Sequence, residues 1–397
     1  MTSAATTGPG ARRWIEATTL GDLLDRRAAE RPDADAVVFP EARASYAELA
    51  GRAQWFARRL AGLGVRRGDR VGILLPATVD LLAVLFGAAK LGAIAVPVNA
   101  RFKCVELAQI VTHSGMRVLV TDAASTGLLH ETLPDVSGHA DGERGLADAP
   151  ELRHVLVLDG TEVRDVAAPG VPDDVVWESQ ASVRVRDTAV IVYTSGTTAA
   201  PKGAMLSHEA LVRLADGIGE RLQITSEDRV WTAIPLFHGG GITFALSAIA
   251  AGAPFVHPGY FDPATTLEYL RDERVTIALA AFETIWMPVL NRSDFARFDL
   301  SRIRLVMAVG VPERLRDMAS RLPDAVHVSC VAMTESSAFL TLNRLDDPPD
   351  ARATTGGHPM PGMQCRVVDP QTGADVDPGT PGELLFRGPN AFDGYFP

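Results

Sequence analysis

This sequence has few cysteines, and it lacks both long apolar runs and a recognisable targeting segment. Its three cysteines, Cys104, Cys330 and Cys365, lie far apart, and no pair has the spacing of a metal knuckle or a redox motif. A reducing, cytoplasmic compartment is therefore expected. The longest apolar stretches, such as residues 81–89, are too short to span a bilayer, and residues 1–12 lack an apolar core. Neither a membrane span nor a signal peptide is expected.

Positive charge is scarce as well, and lysine is its rarest source. The net charge of −11 argues against a general binder of nucleic acid or anionic membranes. Arginine supplies almost all of the basic residues, and the only lysines are Lys90, Lys103 and Lys202. Lysine carries a compact point charge. Where arginine is used almost everywhere else, a lysine therefore weakly indicates a position that needs a compact charge.

Strand-like and helix-like segments alternate along most of the chain. The predicted strands are residues 70–75, 93–98, 118–121, 154–158, 189–193, 229–234, 254–257, 275–280, 304–309 and 326–330. The predicted helices are residues 46–63, 80–91, 242–251, 263–272, 284–290 and 312–321. This alternation predicts an α/β fold with two parallel-type sheets covered by helices in αβαβα layers.

The length of 397 residues indicates more than one packed lobe. We expect a first α/β lobe over residues 1–190, with an Asp-Gly-rich loop at 134–150, and a second over residues 191–355. After about Thr354, frequent glycines separate short strands at 364–368 and 383–387. That pattern predicts a small, distorted and partial antiparallel β-barrel over residues 356–397.

The most informative segment has the sequence YTSGTTAAPKG and runs from Tyr193 to Gly203. After an apolar strand it combines hydroxyls, a glycine and a cation: Thr194, Ser195, Gly196, Thr197, Thr198 and Lys202. Such a loop can wrap a polyphosphate with backbone N–H groups, hydroxyls and an ammonium. Composition alone favours an ordinary polar turn. The segment also differs from the GxxxxGK[ST] pattern of P-loop enzymes.

The segment closely resembles the signature YTSGTTGxPKG of the adenylate-forming superfamily. That superfamily contains acyl-CoA synthetases, peptide-synthetase adenylation domains and beetle luciferases. Further segments resemble family motifs in the same order: residues 46–49, 64–71, 91–101, 235–239, 333–335, 382–388 and 394–395. Several motifs in order are more specific than one, so the chain is identified as a member of this superfamily. The PLFH sequence at 235–238, with Asn99 and Arg101, favours the acyl-CoA ligase type.

The resemblance implies an activity. ATP and a small carboxylic acid would give an acyl-adenylate and pyrophosphate, and CoA would then take the acyl group as a thioester. A carrier protein as acceptor and an unusual acid of a biosynthetic pathway stay open as alternatives. So does a catalytically weak nucleotide- or acyl-binding protein on the same scaffold. The oligomeric state is not predicted.

The resemblance also implies roles for individual residues. The hydroxyl-rich loop and Lys202 would hold the β- and γ-phosphates, Thr334 would contact the α-phosphate region, and Glu335 would bind Mg²⁺, which prefers oxygen ligands. Further nucleotide contacts are implied for Gly310, Val311, Pro312, Ser329, Cys330 and Val331. His238 would border the acyl pocket and, with Lys202, Thr334 and Glu335, serve the reaction.

The implied acyl pocket contains His238, Gly239, Gly240, Phe282, Glu283, Val309, Gly310, Ala332 and Met333. An acidic residue at position 283 is unusual for the family. One hypothesis is that Glu283 meets a polar or amino group of the substrate. The alternative is that it points to solvent at the start of a helix.

The chain departs from the family pattern at four positions and at its end. Ala199 replaces a loop glycine, Val309 replaces the first glycine of GGAP, and Val331 and Ala332 replace the Tyr-Gly of YGxTE. Valine cannot stack on adenine as tyrosine does, so ATP affinity and substrate choice are in question. The chain stops at Pro397, where the resemblance predicts a hinge and a C-terminal lid domain. We therefore expect little ligase turnover from this polypeptide alone.

Overall fold

The computed structural model describes residues 18–133, 149–159, 170–194 and 201–397, and the backbone of 162–164. The predicted loop at 134–150 lies outside the described residues except at its last two positions. The described helices are α1 Leu20–Glu30, α2 Tyr46–Gly62, α3 Val79–Lys90, α4 Cys104–Ser114, α5 Thr126–Thr132, α6 Asp173–Ser182, α7 His208–Arg221, α8 Gly239–Ala251, α9 Pro263–Asp272, α10 Glu283–Leu290, α11 Pro312–Arg321 and α12 Pro349–Thr354.

Two large sheets organise the chain. The strands of the first sheet are β3 Arg70–Leu74, β4 Ile94–Pro97, β5 Val118–Asp122, β6 His154–Asp159, β7 Glu162–Arg164, β8 Thr188–Thr194 and β9 Lys202–Ser207. Those of the second are β1 Asp35–Val38, β2 Arg43–Ser45, β10 Val230–Trp231, β11 Phe255–Val256, β12 Ile277–Phe282, β13 Leu305–Val309 and β14 Val326–Val328. The orders are β7-β6-β5-β3-β4-β8-β9 and β14-β13-β12-β10-β11-β1-β2.

Strand pairing is parallel inside both sheets and antiparallel only at edges. The antiparallel pairs are β6 with β7, β8 with β9, and β1 with β2. Parallel neighbours need long crossovers, and the helices supply them. The predicted α/β architecture of parallel sheets flanked by helices is confirmed.

The sheets do not follow the predicted lobe boundary at 190/191. Strands β1 and β2, early in the chain, pair with the second sheet, because β1 lies parallel to β11. Strand β8 spans the boundary and β9 follows it, and both belong to the first sheet. Parallel pairing joins segments that are distant in sequence, so order along the chain does not divide the sheets.

A closed barrel is not seen over residues 356–397. The described strands there and just before are β15 Cys330–Met333, β16 Ala338–Leu342, β17 His358–Pro359, β18 Gln364–Val368 and β19 Glu383–Arg387. They form a three-stranded antiparallel sheet, β15-β16-β17, and a separate pair, β18-β19. A barrel needs one continuous ladder, and these strands divide into two. The predicted strands 364–368 and 383–387 are confirmed.

The first lysine of the sequence is structural. Lys90, at the end of α3, is buried, and its ammonium lies 2.5 and 2.6 Å from the two carboxylate oxygens of Asp25 on α1. Gln180 of α6 accepts a third hydrogen bond from the same ammonium at 3.3 Å. A single buried cation thus joins three helices that cover the first sheet.

Candidate functional site

The two ends of the hydroxyl-rich loop lie side by side. Thr194, the last residue of β8, pairs with Lys202, the first residue of β9. The Thr194 hydroxyl donates to the Lys202 carbonyl at 3.5 Å. The loop between them, with Ser195, Gly196, Thr197, Thr198 and Ala199, lies outside the described residues. Its base is nevertheless fixed by an antiparallel ladder, so the loop leaves and re-enters the sheet at one edge.

Glu335 lies in a tight turn between β15 and β16. Thr334–Ser336 is a single 3₁₀ turn, and the next residues, Ser337 and Ala338, have φ of 60° and 116°. Non-glycine residues adopt such angles only where the surroundings impose them. Here the Thr243 hydroxyl of α8 donates to the Ser337 carbonyl at 3.0 Å, and the Ser337 hydroxyl donates to the Asn390 carbonyl at 2.8 Å. The turn is therefore held from two sides.

Tyr395 connects this turn to the base of the loop. Its hydroxyl donates to Glu335 Oε1 at 2.6 Å, and its ring centroid lies 5.2 Å from the Lys202 ammonium nitrogen. The hydrogen bond to Glu335 raises the pKa of Tyr395. Residues 394–396 run beside β9, where the Phe396 N–H donates to the Gly203 carbonyl at 2.7 Å. Lys202 and Glu335, far apart in sequence, therefore meet on the two sides of one tyrosine.

This arrangement fits a magnesium-bound polyphosphate. Lys202 is exposed and forms no ion pair with any carboxylate in the part of the chain that the structure describes. Glu335 keeps one carboxylate oxygen free of the Tyr395 hydroxyl. Within that described part, no group of three or more His, Cys, Asp or Glu side chains could hold a metal alone. Mg²⁺ commonly takes one or two carboxylates and completes its shell with phosphate oxygens and water.

The predicted acyl-pocket residues His238, Phe282, Glu283 and Gly310 also come together. The His238 and Phe282 rings lie 6.4 Å apart at 86°. Phe282 pairs with Val309 across the parallel strands β12 and β13. Glu283 Oε2 lies 3.3 Å from the point where a Cβ on Gly310 would stand. The ends of β12 and β13 and the start of α8 thus form one wall.

His238 is held in its neutral form at the start of α8. Its Nδ1 accepts a hydrogen bond from the Gly240 N–H at 3.2 Å, so the ring caps the helix. This cap explains why α8 begins at Gly239 rather than at the predicted residue 242. Desolvation lowers the pKa of His238, although the residue is exposed. The exposure and the desolvation together indicate a ring at the wall of a cleft: part of its surface contacts solvent, and protein atoms surround the rest.

Residues 329–333 pass from buried to exposed along the chain. Ser329, Cys330 and Val331 were predicted to contact the nucleotide, and Ala332 and Met333 the substrate. Ser329 and Cys330 are buried, and the Cys330 sulfur lies 3.9 Å from that of Met307. Burial raises the pKa of the Cys330 thiol to about 12, which leaves it inert. Val331 is half-buried and Ala332 and Met333 are exposed. Contacts from Ser329 and Cys330 would therefore use the backbone, and these roles remain predictions.

The turn after β13 provides Gly310, Val311 and Pro312. Val311 is exposed, and Pro312 occupies the first position of α11, where its missing N–H costs nothing. Gly310 has no side chain to separate the backbone from Glu283. The turn therefore leaves the backbone uncovered at Gly310, and its contacts to adenine and substrate remain predictions.

Sequence reasoning assigned no role to Tyr395 or to a neighbouring cavity. The cavity has a volume of about 1090 Å³ and lies where strands β1, β3, β4, β10 and β11 end. Phe237 lines it, next in sequence to His238, and the Arg101 guanidinium lies 5.8 Å from the Tyr260 ring at the same cavity. Ligands of α/β sheets bind beyond the carboxyl ends of strands. The only sequence signal was the pair of motifs that contain Arg101 and Phe237.

No helix in the described ranges combines the length and hydropathy that a membrane crossing needs.

The matched family model, AMP-binding enzyme, covers residues 24–396. YngI of Bacillus subtilis is 29% identical over 96% of this chain and 72% of its own length. The indoleacetate–CoA ligase of Aromatoleum aromaticum is 32% identical over 95% of this chain and 71% of its own. The acyl-CoA ligase SID4 of Ajellomyces capsulatus is 30% identical over 95% and 66%. The chain spans about two thirds of the length of these relatives.

Solved structures agree with this result. The inhibitor-bound N-terminal domain of FACL13 from Mycobacterium tuberculosis superimposes with a TM-score of 0.79 at 26% identity, over 95% of this chain and 91% of that one. The long-chain-fatty-acid-CoA ligase FadD1 from Archaeoglobus fulgidus gives a TM-score of 0.80 at 23% identity, over 97% and 77%, and supports the fold alone. The family match over residues 24–396 shows that this chain belongs to the AMP-binding enzyme family.

Proposed function

We propose that this protein activates a small carboxylic acid with ATP and passes the acyl group to the thiol of CoA. In the first step a carboxylate oxygen attacks the α-phosphorus and pyrophosphate leaves, which gives the acyl-adenylate. In the second step the thiol sulfur attacks the acyl carbon, loses its proton, and AMP leaves. The observation that carries the proposal is the grouping of Lys202, Tyr395 and Glu335. The names of the related ligases support the same chemistry.

The electrostatic task is to bring an anionic acid to a polyanionic nucleotide. Lys202 and the hydroxyls of its loop would bind the β- and γ-phosphates, and Thr334 would contact the α-phosphate region. Glu335 would hold Mg²⁺, which neutralises phosphate charge when bound. Fixed groups of this kind stabilise developing charge without reorganising, and this effect is usually the largest in such reactions.

The acyl group would lie against the wall formed by His238, Phe282 and the turn at Gly310. A neutral His238 suits this place, because the acyl group would leave a cation there desolvated and unpaired. The remaining wall would come from the glycines that begin α8 and from Val309, Ala332 and Met333. These assignments extend the family's roles to the residues that stand at its positions.

CoA is the favoured acceptor because of the adjoining cavity. Its volume suits a large ligand, and Arg101 places a cation at a wall that Tyr260 shares. The nucleotide end of CoA is polyanionic, whereas a carrier protein presents a single phosphate on its arm. Phe237 lines this cavity and is next in sequence to His238, so the cavity lies beside the proposed acyl site. A carrier protein remains the alternative acceptor.

One further prediction accompanies the proposal. The three cysteines are all free thiols, which suits a reducing compartment such as the cytoplasm.

The test is exchange of labelled pyrophosphate into ATP by this protein, measured with a panel of aliphatic and aromatic acids. We expect exchange that is slow, since little ligase turnover is expected from this polypeptide alone, but that depends on one class of acid and on Mg²⁺ and is abolished in Lys202→Met. Binding of ATP without exchange for any acid would support a nucleotide-binding protein instead. Absence of both binding and exchange would contradict the proposal.

A further inference from the structure

The side chain of Glu283 has a place in the candidate acyl cleft that the family reaction does not use. We propose that it selects a carboxylic acid that carries a protonated amino group away from the reacting carboxylate. This inference rests on the proposed function, since it concerns the substrate of that site. It assigns a specificity-determining role to one residue and a chemical class to the acid.

The backbone directs Glu283 towards the substrate turn. It is the first residue of α10, directly after β12, whose last residue Phe282 pairs with Val309 of the neighbouring strand. Its Oε2 lies 3.3 Å from the position that a Cβ on Gly310 would occupy. The carboxylate therefore rests against the turn that follows β13 and does not extend freely into solvent. The absence of a side chain at Gly310 is what leaves room for it.

The Glu283 carboxylate has no partner of its own in the described ranges. It forms neither an ion pair nor a hydrogen bond with any described residue, and its side chain is half-buried. The charged residue shown near this turn is Arg314 in the first turn of α11, whose Cβ lies 3.8 Å from the position that a Cβ on Gly310 would occupy. Arg314 is exposed and forms no ion pair with Glu283. Partial burial of a carboxylate without a cation is unfavourable, so a ligand cation would be favoured here.

The rest of the wall offers no competing charge. Among the predicted substrate residues, Glu283 is the only one with a formal charge, because His238 is held neutral and the others are apolar or glycine. Phe282, next to Glu283, is 44% exposed and presents an aromatic face to the same cleft as His238. An acid with an apolar body and an ammonium group would match this pattern. The ammonium would donate a charge-assisted hydrogen bond to Glu283.

Selectivity follows from the same geometry. An acid with a methyl group in place of the ammonium would cover Glu283 and leave its charge desolvated and unpaired. A site built around a polar group of the substrate discriminates strongly against the analogue that lacks it. We expect a preference of roughly tenfold or more, as for a hydrogen bond to a charged group.

The experiment measures binding rather than turnover. The probes are acylsulfamoyl adenosines, stable analogues of an acyl-adenylate, in three matched pairs of increasing reach: β-alanyl against butanoyl, 4-aminobutanoyl against pentanoyl, and 3-(aminomethyl)benzoyl against 3-ethylbenzoyl. Calorimetry on the wild-type protein should show that the ammonium member of at least one pair binds roughly tenfold more tightly. In Glu283→Gln that preference should fall below about twofold, because the ammonium member loses its charged partner and the methyl member no longer desolvates a carboxylate.

Glu313→Gln is the matched control, because it removes an exposed carboxylate from the adjacent helix and should leave the preference unchanged. Equal binding within all three pairs, or a preference that survives in Glu283→Gln, would overturn the inference and leave the adenylate site intact. A preference lost equally in Glu313→Gln would also overturn it, since general charge would then be the cause. If no adenosine probe binds at all, the proposed function itself is wrong. Thermal unfolding of each variant confirms that it is folded.

Discussion

The Tyr395 hydroxyl donates a 2.6 Å hydrogen bond to Glu335, sixty positions earlier in the chain. Because the same tyrosine ring lies under the Lys202 ammonium, one side chain fixes the distance between the cation of the signature loop and the candidate magnesium ligand. The bond engages one carboxylate oxygen and leaves the other available. Tyr395 is therefore a candidate positioning residue for the proposed nucleotide site.

Replacement of Tyr395 by Phe should shift the dependence of ATP binding on Mg²⁺, because more Mg²⁺ would be needed for the same effect. Without the hydroxyl, the Glu335 carboxylate loses its orientation, and the Mg²⁺ concentration that gives half-maximal ATP binding should rise roughly fivefold. ATP binding without Mg²⁺ should change little, since the ring that contacts Lys202 remains. Tyr260→Phe, at an exposed tyrosine in the adjoining cavity, is the control. An unchanged Mg²⁺ dependence in Tyr395→Phe would remove the assigned role.

Replacement of Arg101 by Ala should affect CoA and not ATP. The loss of a cation at the cavity should raise the KM for CoA roughly tenfold, with acid-dependent exchange unchanged. Arg302→Ala removes an exposed arginine outside the cavity lining and should leave the KM for CoA unaltered. If both variants keep the wild-type KM, the cavity does not receive the nucleotide end of CoA.

Lys90→Met should lower the stability of the fold and leave the candidate nucleotide site at Lys202 and Glu335 unchanged. The variant leaves Asp25 and Gln180 without their shared cation, although Asp25 is partly exposed and can rehydrate. We expect a loss of about 2 kcal/mol in the free energy of unfolding, less than for a fully buried pair. Urea denaturation measures it, and the double variant with Asp25→Asn should recover part of the loss. A change below about 0.5 kcal/mol would show that the ion pair is not needed for stability.

Acid should destabilise the protein through two buried histidines. Burial lowers the pKa of both His208 and His257 to about 4. His257 donates through Nε2 to the Ile234 carbonyl and accepts at Nδ1 from the Gly259 N–H, so a second ring proton would face a donor. Since the folded-state pKa lies below the unfolded value near 6.5, their contribution is complete above about pH 6.5 and is lost as pH falls towards 4.

The corresponding measurement is urea unfolding at pH 7 and pH 5. Each buried histidine should cost about 2 kcal/mol over this interval. His257→Gln should therefore show a smaller loss on acidification than wild type, whereas His130→Gln, at an exposed position, should match wild type. Equal pH dependence in all three proteins would contradict neutral burial of His257.

Much of the architecture was predictable because local signals agreed with the final packing. Helices α9 and α11 have the predicted bounds, since each begins with a proline at a position where its missing N–H is harmless. The strands β10 and β11 are shorter than predicted, with two residues each. Their chains leave the ladder early to line the cavity, and apolar composition alone does not indicate where pairing ends.

Helices α1, α4, α5, α6, α7 and α12 were not predicted. In α7 the glycines at 217 and 219 lower helix propensity, yet Gly217 packs close to Pro361 and needs the absence of a side chain. The strained turn at Ser337 and Ala338 gives no sequence signal, because neither residue is glycine. The Tyr395 contact with Glu335 depends on an antiparallel bridge between Ala204 and Tyr395, which joins distant parts of the chain. Such long-range contacts are set by the tertiary fold.

The most direct test of the central claim is calorimetric binding of ATP, with and without Mg²⁺, to wild type, Lys202→Met and Glu335→Gln. Lys103→Met, at another exposed lysine, is the control. If Lys202 and Glu335 share one polyphosphate, Lys202→Met should weaken ATP binding in both conditions by roughly tenfold, and Glu335→Gln should weaken it only when Mg²⁺ is present. Weaker binding in Lys103→Met alone, or an equal effect of Glu335→Gln in both conditions, would contradict a shared site.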